Sequence, residues 1–402
     1  MKILLLNQVF YPDVAATAQY LSDLAAALAD RGHEVTVVSS RWAYDRSETS
    51  FPARETWRGV KIIRVFSTRF GKGAKWRRAA DFASFLVFCC ARLILLPRQD
   101  VVMALTTPPL ISFLGAWRAK LFRERFCYWV MDFNPDEAIA AGWLRQDSFA
   151  AKWLERMSRF SLRRADKIIA LDRFMRDRIV AKKIAAEKVA VIPPWPLDRH
   201  VAFDAAGREA FRATHGLTGK FVVMYSGNHS PVHPLDTIIK AAEQLRSQTH
   251  LVFCFVGGGS EFLRVKKCAQ QNPQILCLPY QPLEKLSASL SAADAHVVVM
   301  GNAMLGLVHP CKIYNILTVG APVLYVGPEP SHVTEVLGGL KPSRPWAGVR
   351  HGAEGELVNQ IHQLHRDCPG KDRQLPAEVD TQFSQAALQS MVALVESAPS
   401  KV

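Results

Sequence analysis

Residues 307–327 read LVHPCKIYNILTVGAPVLYVG. His309-Pro310 stops whatever precedes it, and Pro310 suits the first turn of a helix, where its missing N–H costs nothing. Ile313, Ile316 and Leu317 recur at helical spacing, and Gly320 ends that short helix as a left-handed cap does. Ala321 to Val326 is an apolar run bounded by turn residues, which predicts a buried strand. Loop, helix, tight turn and buried strand together make a unit of an α/β domain. The helix N-terminus offers unpaired backbone N–H groups with Lys312 beside them, a place suited to a phosphate.

Outward from this stretch, the same alternation fills the chain. Lys2 to Asn7, Glu34 to Ser39, Gly59 to Phe66, Asp100 to Leu105, Arg125 to Met131, Lys167 to Leu171 and Lys188 to Ile192 read as buried strands. Ala18 to Arg31, Leu110 to Leu121 and Phe149 to Arg164 read as helices between them. Pro193-Pro194-Trp195-Pro196 is a stiff linker. Beyond it, Lys220 to Ser226, Leu251 to Val256, Gln274 to Leu278 and Ala295 to Met300 are further strands, and Phe383 to Glu396 is a last amphipathic helix. Strands alternating with helices give parallel sheets. The 402 residues suit two domains, placed at 1–196 and 197–380, with a C-terminal helix in 381–402.

Taken in order, these motifs resemble glycosyltransferase family 4, and within it the bacterial O-antigen, capsule and exopolysaccharide subgroup that includes fucosamine and fucose transferases. The opening stretch carries the resemblance as Pro310-Cys311-Lys312-Ile313-Tyr314-Asn315…Gly320-Ala321-Pro322-Val323, and the likeness runs from Met1 to about Glu396. It implies an α/β chain of two Rossmann-like domains facing across a cleft (the GT-B fold), with the final helix returning to the first domain. It also implies transfer of a sugar from a UDP- or GDP-sugar to a hydroxyl of a lipid-linked glycan acceptor, with retention of configuration. No cofactor and no metal are expected: there is no Asp-x-Asp run in a plausible site, and helix N-termini with Lys312 can neutralise a leaving diphosphate.

On the donor side the resemblance singles out Gly227, Asn228, His229 and His233 after one strand, Gly257 and Gly258 after the next, and Tyr280 and Gln281 in the turn Leu-Pro-Tyr-Gln-Pro. His309, Lys312 and Asn315 complete the set. Relatives place an Arg just after Gly227 and a Lys-Gly before the following helix, where this chain has Asn228 and His233-Pro234. Lys312 is then the main cation, and His233 a second one if protonated. The wider family also has two carboxylates here, at positions held by Leu307 and Asn315; Asn315 can still hydrogen-bond a ribose.

In the first half, Ala15, Ala16 and Thr17 form the counterpart phosphate loop, with alanines where the family usually has two glycines. At the end of the strand Arg125 to Met131 stand Asp132 and Asp136-Glu137, where ligands of open parallel sheets bind. Asp132 is the leading candidate to face the acceptor hydroxyl, with Asp136 or Glu137 next; each can instead serve only as a helix cap.

Charge is unevenly placed. Residues 1–196 hold 32 Lys+Arg against 19 Asp+Glu, whereas residues 197–402 hold 18 against 17. Arg69, Lys72, Lys75, Arg77 and Arg78 cluster just before the apolar helix Phe82 to Leu96, which is shorter than the ~20 residues that span a bilayer. The segment reads either as a core helix with a solvated basic lead-in or as a helix touching an anionic inner-membrane surface, with Phe82, Phe85 and Phe88 reaching the interface. The second reading makes the protein cytoplasmic and peripheral to that membrane. No nucleic-acid-binding motif is present. Eight cysteines without CxxC spacing read as reduced core residues. A nucleotide-sugar 2-epimerase and a non-catalytic nucleotide-sugar-binding partner are the rival readings; a Rossmann oxidoreductase is disfavoured because no GxGxxG follows the first strand.

Overall fold

The structure, a computed structural model, describes residues 1–13, 15–43, 49–71, 75–195, 201–340, 345–367 and 385–397. Lys72, Pro196 and Phe383, named above, lie outside the described residues. The chain divides into two compact units: unit 1 comprises Met1–Leu197, Gly306–His309 and Ser384–Val402, and unit 2 comprises Asp198–Leu305 and Pro310–Phe383.

Unit 1 runs β1 (Lys2–Leu6), α1 (Ala16–Asp30), β2 (Glu34–Ser40), β3 (Arg54–Trp57), β4 (Val60–Val65), α2 (Lys75–Leu95), β5 (Val101–Ala104), α3 (Ile111–Phe122), β6 (Arg125–Trp129), α4 (Asp136–Ala140), α5 (Phe149–Arg164), β7 (Lys167–Ala170), α6 (Arg173–Ala181) and β8 (Val189–Val191). Unit 2 runs α7 (Ala205–Thr214), β9 (Phe221–Asn228), α8 (Asp236–Gln244), β10 (Leu251–Gly258), α9 (Phe262–Gln271), β11 (Ile275–Leu278), α10 (Leu286–Ser291), β12 (Ala295–Val299), α11 (Lys312–Thr318), β13 (Val323–Val326), α12 (His332–Gly338), β14 (Trp346–Val349) and α13 (Glu354–Asp367). The last helix, α14 (Gln385–Glu396), belongs to unit 1.

The unit 1 sheet has the order β3-β4-β2-β1-β5-β6-β7-β8, parallel throughout except for β3 against β4. β1, β5 and β6 are apolar along nearly their whole length because both faces are covered. The order reverses between β1 and β5, and the loops after the strands there are where an open α/β sheet takes its ligand. Unit 2 has the all-parallel order β11-β10-β9-β12-β13-β14, reversing between β9 and β12.

Two features differ from the sequence reading. The basic run does not merely precede α2: the helix opens at Lys75, so Arg77 and Arg78 lie in its first turns. Trp195 is not part of a bare linker. It is 1% exposed, packs edge-on to Tyr20 at 5.2 Å, and its Nε1 donates to Asp23 Oδ2 at 2.9 Å, so the unit 1 core extends through it. The last helix returns to unit 1 as the resemblance implies: α14 docks on α1, and the Glu396 carboxylate accepts from Arg31 Nε at 2.8 Å and lies 2.7 Å from His33 Nε2.

Candidate functional site

The unit 2 candidate lies at the sheet's reversal point. β9 and β10 end in glycines that pair across the ladder, Gly257 opposite Gly227 and Gly258 opposite Asn228. Gly227 and Gly257 have φ of 133° and 136°, and a Cβ on Gly257 would collide with the Gly227 carbonyl. Only glycine lets the two strand ends close up so far. Under this turn lies Lys312, the first residue of α11. A Cβ on Gly227 would stand 3.1 Å from Lys312 Nζ. That Nζ is 3.8 Å from the centroid of the Tyr225 ring, fully buried, and without a hydrogen-bond partner. Burial pulls the amine down to about 7. An uncompensated buried ammonium is a costly arrangement that an anion would relieve.

The two histidines do not share that role. His229 is fully buried with its ring among Tyr225, Phe255 and Phe262, and burial, then Lys312, brings it down to about 4. His233 Nδ1 lies 2.7 Å from Val299 O, and burial, then Lys312, brings it down to about 3. Both are neutral near pH 7, so the expectation of His233 as a second cation is corrected: it ties the loop after β9 to β12. Asn228 is exposed, and its carbonyl accepts from the Tyr225 hydroxyl at 2.8 Å. Tyr280 is 57% exposed and lies over Gly258, while Gln281 Nε2 donates to Pro279 O at 3.0 Å. Asn315 sits half-buried in α11. At seven residues α11 contributes little dipole, which leaves Lys312 as the main charge.

His309 is grouped with unit 1; its side chain is 1% exposed, and its Nδ1 lies 2.9 Å from Asp172 Oδ2. Leu307, from the same segment, accepts the Phe133 N–H through its carbonyl at 2.9 Å. These residues make their contacts within unit 1.

The unit 1 candidate is the loop after β6. Burial pushes Asp132 up to about 6; burial, and then Asp132, pushes Glu137 up to about 8, while Arg78 and a hydrogen bond from Asn134 Nδ2 (3.4 Å) oppose the rise. Two carboxyls sharing an enclosed site hold one proton between them near neutrality. Asp136 is not the second member. Its Oδ2 accepts from Lys182 Nζ at 2.7 Å, and the same amine reaches Glu155 Oε2 at 2.7 Å. Glu137 takes the place expected of Asp136, because successive residues of a helix point to different sides. In the loop after β1, the Ala15 N–H already donates to Asp13 Oδ1 at 3.3 Å, beside Ala16 and Thr17. A carboxylate on that amide works against a phosphate there.

Of the basic cluster, Arg69 lies over the Trp42 ring at 4.2 Å, Arg77 over Trp76 at 5.5 Å and Arg78 over Phe82 at 5.3 Å. Phe85 is fully buried in the core, not on the surface. The exposed aromatics are Phe66 and Phe88, edge-on to each other at 5.3 Å, and Phe70 and Trp76, 5.8 Å apart. The sequence reading also passed over Trp143, Phe149 and Trp153, exposed around the start of α5; their spacing is the signal that could have found the last two, at i and i+4 on one helix face. Among the described residues no helix is long and apolar enough to cross a membrane.

Residues 16–195 match the glycosyl transferase 4-like domain, and residues 207–326 match the glycosyl transferases group 1. The chain belongs to glycosyltransferase family 4. Among relatives of this family, it is 27% identical over 344 residues to the putative colanic acid biosynthesis glycosyl transferase WcaI of Escherichia coli (strain K12), covering 80% of this chain and 82% of that one. It is 27% identical over 277 residues to the probable glycosyltransferase WbjE of Pseudomonas aeruginosa, covering 66% and 67%. The structure of Anabaena Alr3699/HepE in complex with UDP-glucose aligns over 99% of both chains, with a TM-score of 0.70 at 15% identity. The fold is therefore that of the GT-B glycosyltransferases, and the chain is a family 4 transferase enzyme.

Proposed function

We propose that this transferase moves a sugar from a UDP- or GDP-sugar to a hydroxyl of a lipid-linked glycan in the building of a bacterial cell-surface polysaccharide, retaining configuration and using no metal. The observation that carries the reading is Lys312: a buried ammonium with an aromatic face beside it but no hydrogen-bond partner, beneath a turn of glycines, is a place suited to a diphosphate. In this scheme the bond from the anomeric carbon to the diphosphate breaks, and the new charge on the leaving oxygen falls to Lys312. The acceptor hydroxyl forms the new glycosidic bond, and its proton passes to Asp132, with Glu137 holding a proton beside it.

The relatives point the same way: one is named for colanic acid biosynthesis, and a solved neighbour holds UDP-glucose. The arginines and exposed aromatics around α2 suit the anionic cytoplasmic face of the inner membrane, where a lipid-linked acceptor is presented. The test is a screen of UDP- and GDP-sugars that follows nucleotide release, with membrane extract supplying acceptor and EDTA present throughout. Acceptor-dependent release of UDP or GDP is expected; release of neither above the rate without extract would overturn the reading.

A further inference from the structure

α4 is a helix of five residues, Asp136–Ala140, without a side-chain cap, and each of its residues is only half-buried. A helix so short does not hold itself in water. Between α4, α5 and α6 lies a cleft of about 450 Å³, bordered by Asp136 and Ile139 of α4. On that side close packing does not fix the helix. Its direction has to come from polar contacts.

Lys182, at the end of α6, supplies them. Its Nζ donates to Asp136 Oδ2 and to Glu155 Oε2, both at 2.7 Å, and lies 5.0 Å from the centroid of the Phe133 ring. The side chain is 11% exposed, so these charges act with little screening. Glu155 is the fixed end. It sits in α5, a 16-residue helix capped by Ser148, and its other oxygen accepts from Arg159 Nε at 2.6 Å. The held end is the chain around the carboxyl pair. Phe133 is 1% exposed, and its carbonyl accepts the Glu137 N–H at 2.9 Å. Lys182 therefore contacts the sequence neighbour of each acid, Phe133 beside Asp132 and Asp136 beside Glu137, and its own hydrogen bonds go to neither member of the pair.

We infer that Lys182 is a positioning residue for the carboxyl pair: by tying Asp136 to α5 and resting on Phe133, it turns α4 so that Glu137, and not Asp136, stands beside Asp132. Asp136 and Glu137 point to different sides of one short helix, so a rotation of that helix exchanges them. A shielded ion pair adds little net stability, and fixing one arrangement is its better-attested use. The inference rests on the transferase reading, in which Asp132 takes the acceptor proton. It adds what keeps the proton-holding partner of that base in place.

The test follows UDP or GDP release by the full chain, with the nucleotide-sugar that wild type turns over and membrane extract as acceptor, from about pH 5 to 9. Lys182→Met should lower kcat by about 30-fold or more, since a slightly misplaced catalytic group costs on the order of 100-fold. UDP and GDP affinity, and the amount of extract giving half-maximal rate, should stay within about twofold, because the loss falls on the transition state. The acid limb should also move to higher pH: Asp136, freed from its amine, adds a carboxylate beside the pair. The other groups that face the pair, Arg78 on α2, Tyr128 on β6 and Asn134 in the loop, are unchanged in this variant. A loss of stability alone would lower the rate without moving that limb. Lys182→Arg, which can still bridge two carboxylates, should restore most of kcat. Should Lys182→Met fail to fold by thermal unfolding, Asp136→Leu carries the test through the same fall in kcat at unchanged nucleotide affinity. A Lys182→Met enzyme with kcat within about twofold of wild type, one whose acid limb stays in place, or a Lys182→Arg enzyme as slow as Lys182→Met overturns the inference. Asp132→Asn is measured beside them. If it loses turnover while Lys182→Met keeps it, the inference alone falls; if Asp132→Asn turns over at the full rate, the role given to the pair falls and the inference with it.

Discussion

His309 Nδ1 lies 2.9 Å from Asp172 Oδ2, and the other oxygen of Asp172 accepts the Met175 N–H at 2.8 Å as the cap of α6. One carboxylate thus starts a helix of unit 1 and holds a histidine that comes 137 residues later.

The first prediction concerns this pair. Asp172→Ala removes a cap and takes the carboxylate away from a buried imidazole, so unfolding should require about 2–4 kcal/mol less. His309→Ala should lower stability while leaving UDP and GDP affinity within about twofold, a difference of roughly 0.4 kcal/mol. Calorimetric titration showing a tenfold loss of nucleotide affinity in His309→Ala would return that residue to the donor site.

The second concerns Lys312. Lys312→Ala should weaken nucleotide-sugar binding by ~1.5–3 kcal/mol, the usual range for a charged hydrogen bond. Lys312→Met should also raise the unfolding temperature. The sign follows from the lowered amine: its folded value is about 7 against the ordinary 10.5, so the burial cost is fully present below pH 7 and fades as pH rises toward 10.5. The Met variant should therefore gain most at pH 6 and least at pH 10. Equal stability of the two proteins at pH 6 would mean that the ammonium is relieved in the free protein.

The third concerns pH and the carboxyls. Asp132 must be ionised to accept a proton, so kcat/KM should rise through about pH 6. Lys312 must be charged to hold the donor, so kcat/KM should fall as pH passes about 7. The result is a narrow bell. His233→Ala should leave its limbs in place, because His233 is already neutral throughout. Asp132→Asn should cut turnover by ~100-fold or more and remove the acid limb, whereas Asp136→Asn should leave that limb intact. A profile flat from pH 5 to 9 in wild type would count against both groups.

The fourth concerns the surface around α2. The protein should sediment with anionic liposomes at low salt and be released at high salt, since each Lys or Arg near such a surface contributes ~1 kcal/mol over a Debye length of ~8–10 Å. Replacing Arg69, Lys72, Lys75, Arg77 and Arg78 with Gln should abolish the binding, and Trp76→Ala with Phe88→Ala should weaken it. Phe85→Ala would act differently, by opening a core cavity that costs about 3–5 kcal/mol. Indifference of wild type to anionic liposomes at low salt would leave the basic residues as ordinary solvated surface.

Most of the strands were legible because buried parallel strands are apolar on both faces, as in Val101–Ala104 and Ala295–Val299. α5 was readable to the residue from its amphipathic period. The antiparallel strand Arg54–Trp57 was not, since its polar edge residues alternate too briefly. α7 was missed for a similar reason: much of its inward side is arginine. Arg208 and Arg212 are buried there against Asp294, a pairing that local sequence cannot announce. At the site, the glycine turns and Lys312 could be named from spacing. The charge of His233 could not, because it depends on how deeply the ring is buried. The choice between Asp136 and Glu137 was equally hidden, as it turns on Lys182, 46 residues away.

The docking of α14 on α1 bears on how the molecule is made. Glu396 closes on Arg31 and His33, and Arg125 reaches the Val395 carbonyl. On the ribosome, unit 1 therefore has its sheet long before it has its last helix. At about 5–20 residues per second, the interval between Leu197 and Glu396 is roughly 10–40 s. Through that time the face of α1 that packs against α14 is uncovered in the nascent chain, a natural place for a chaperone to hold.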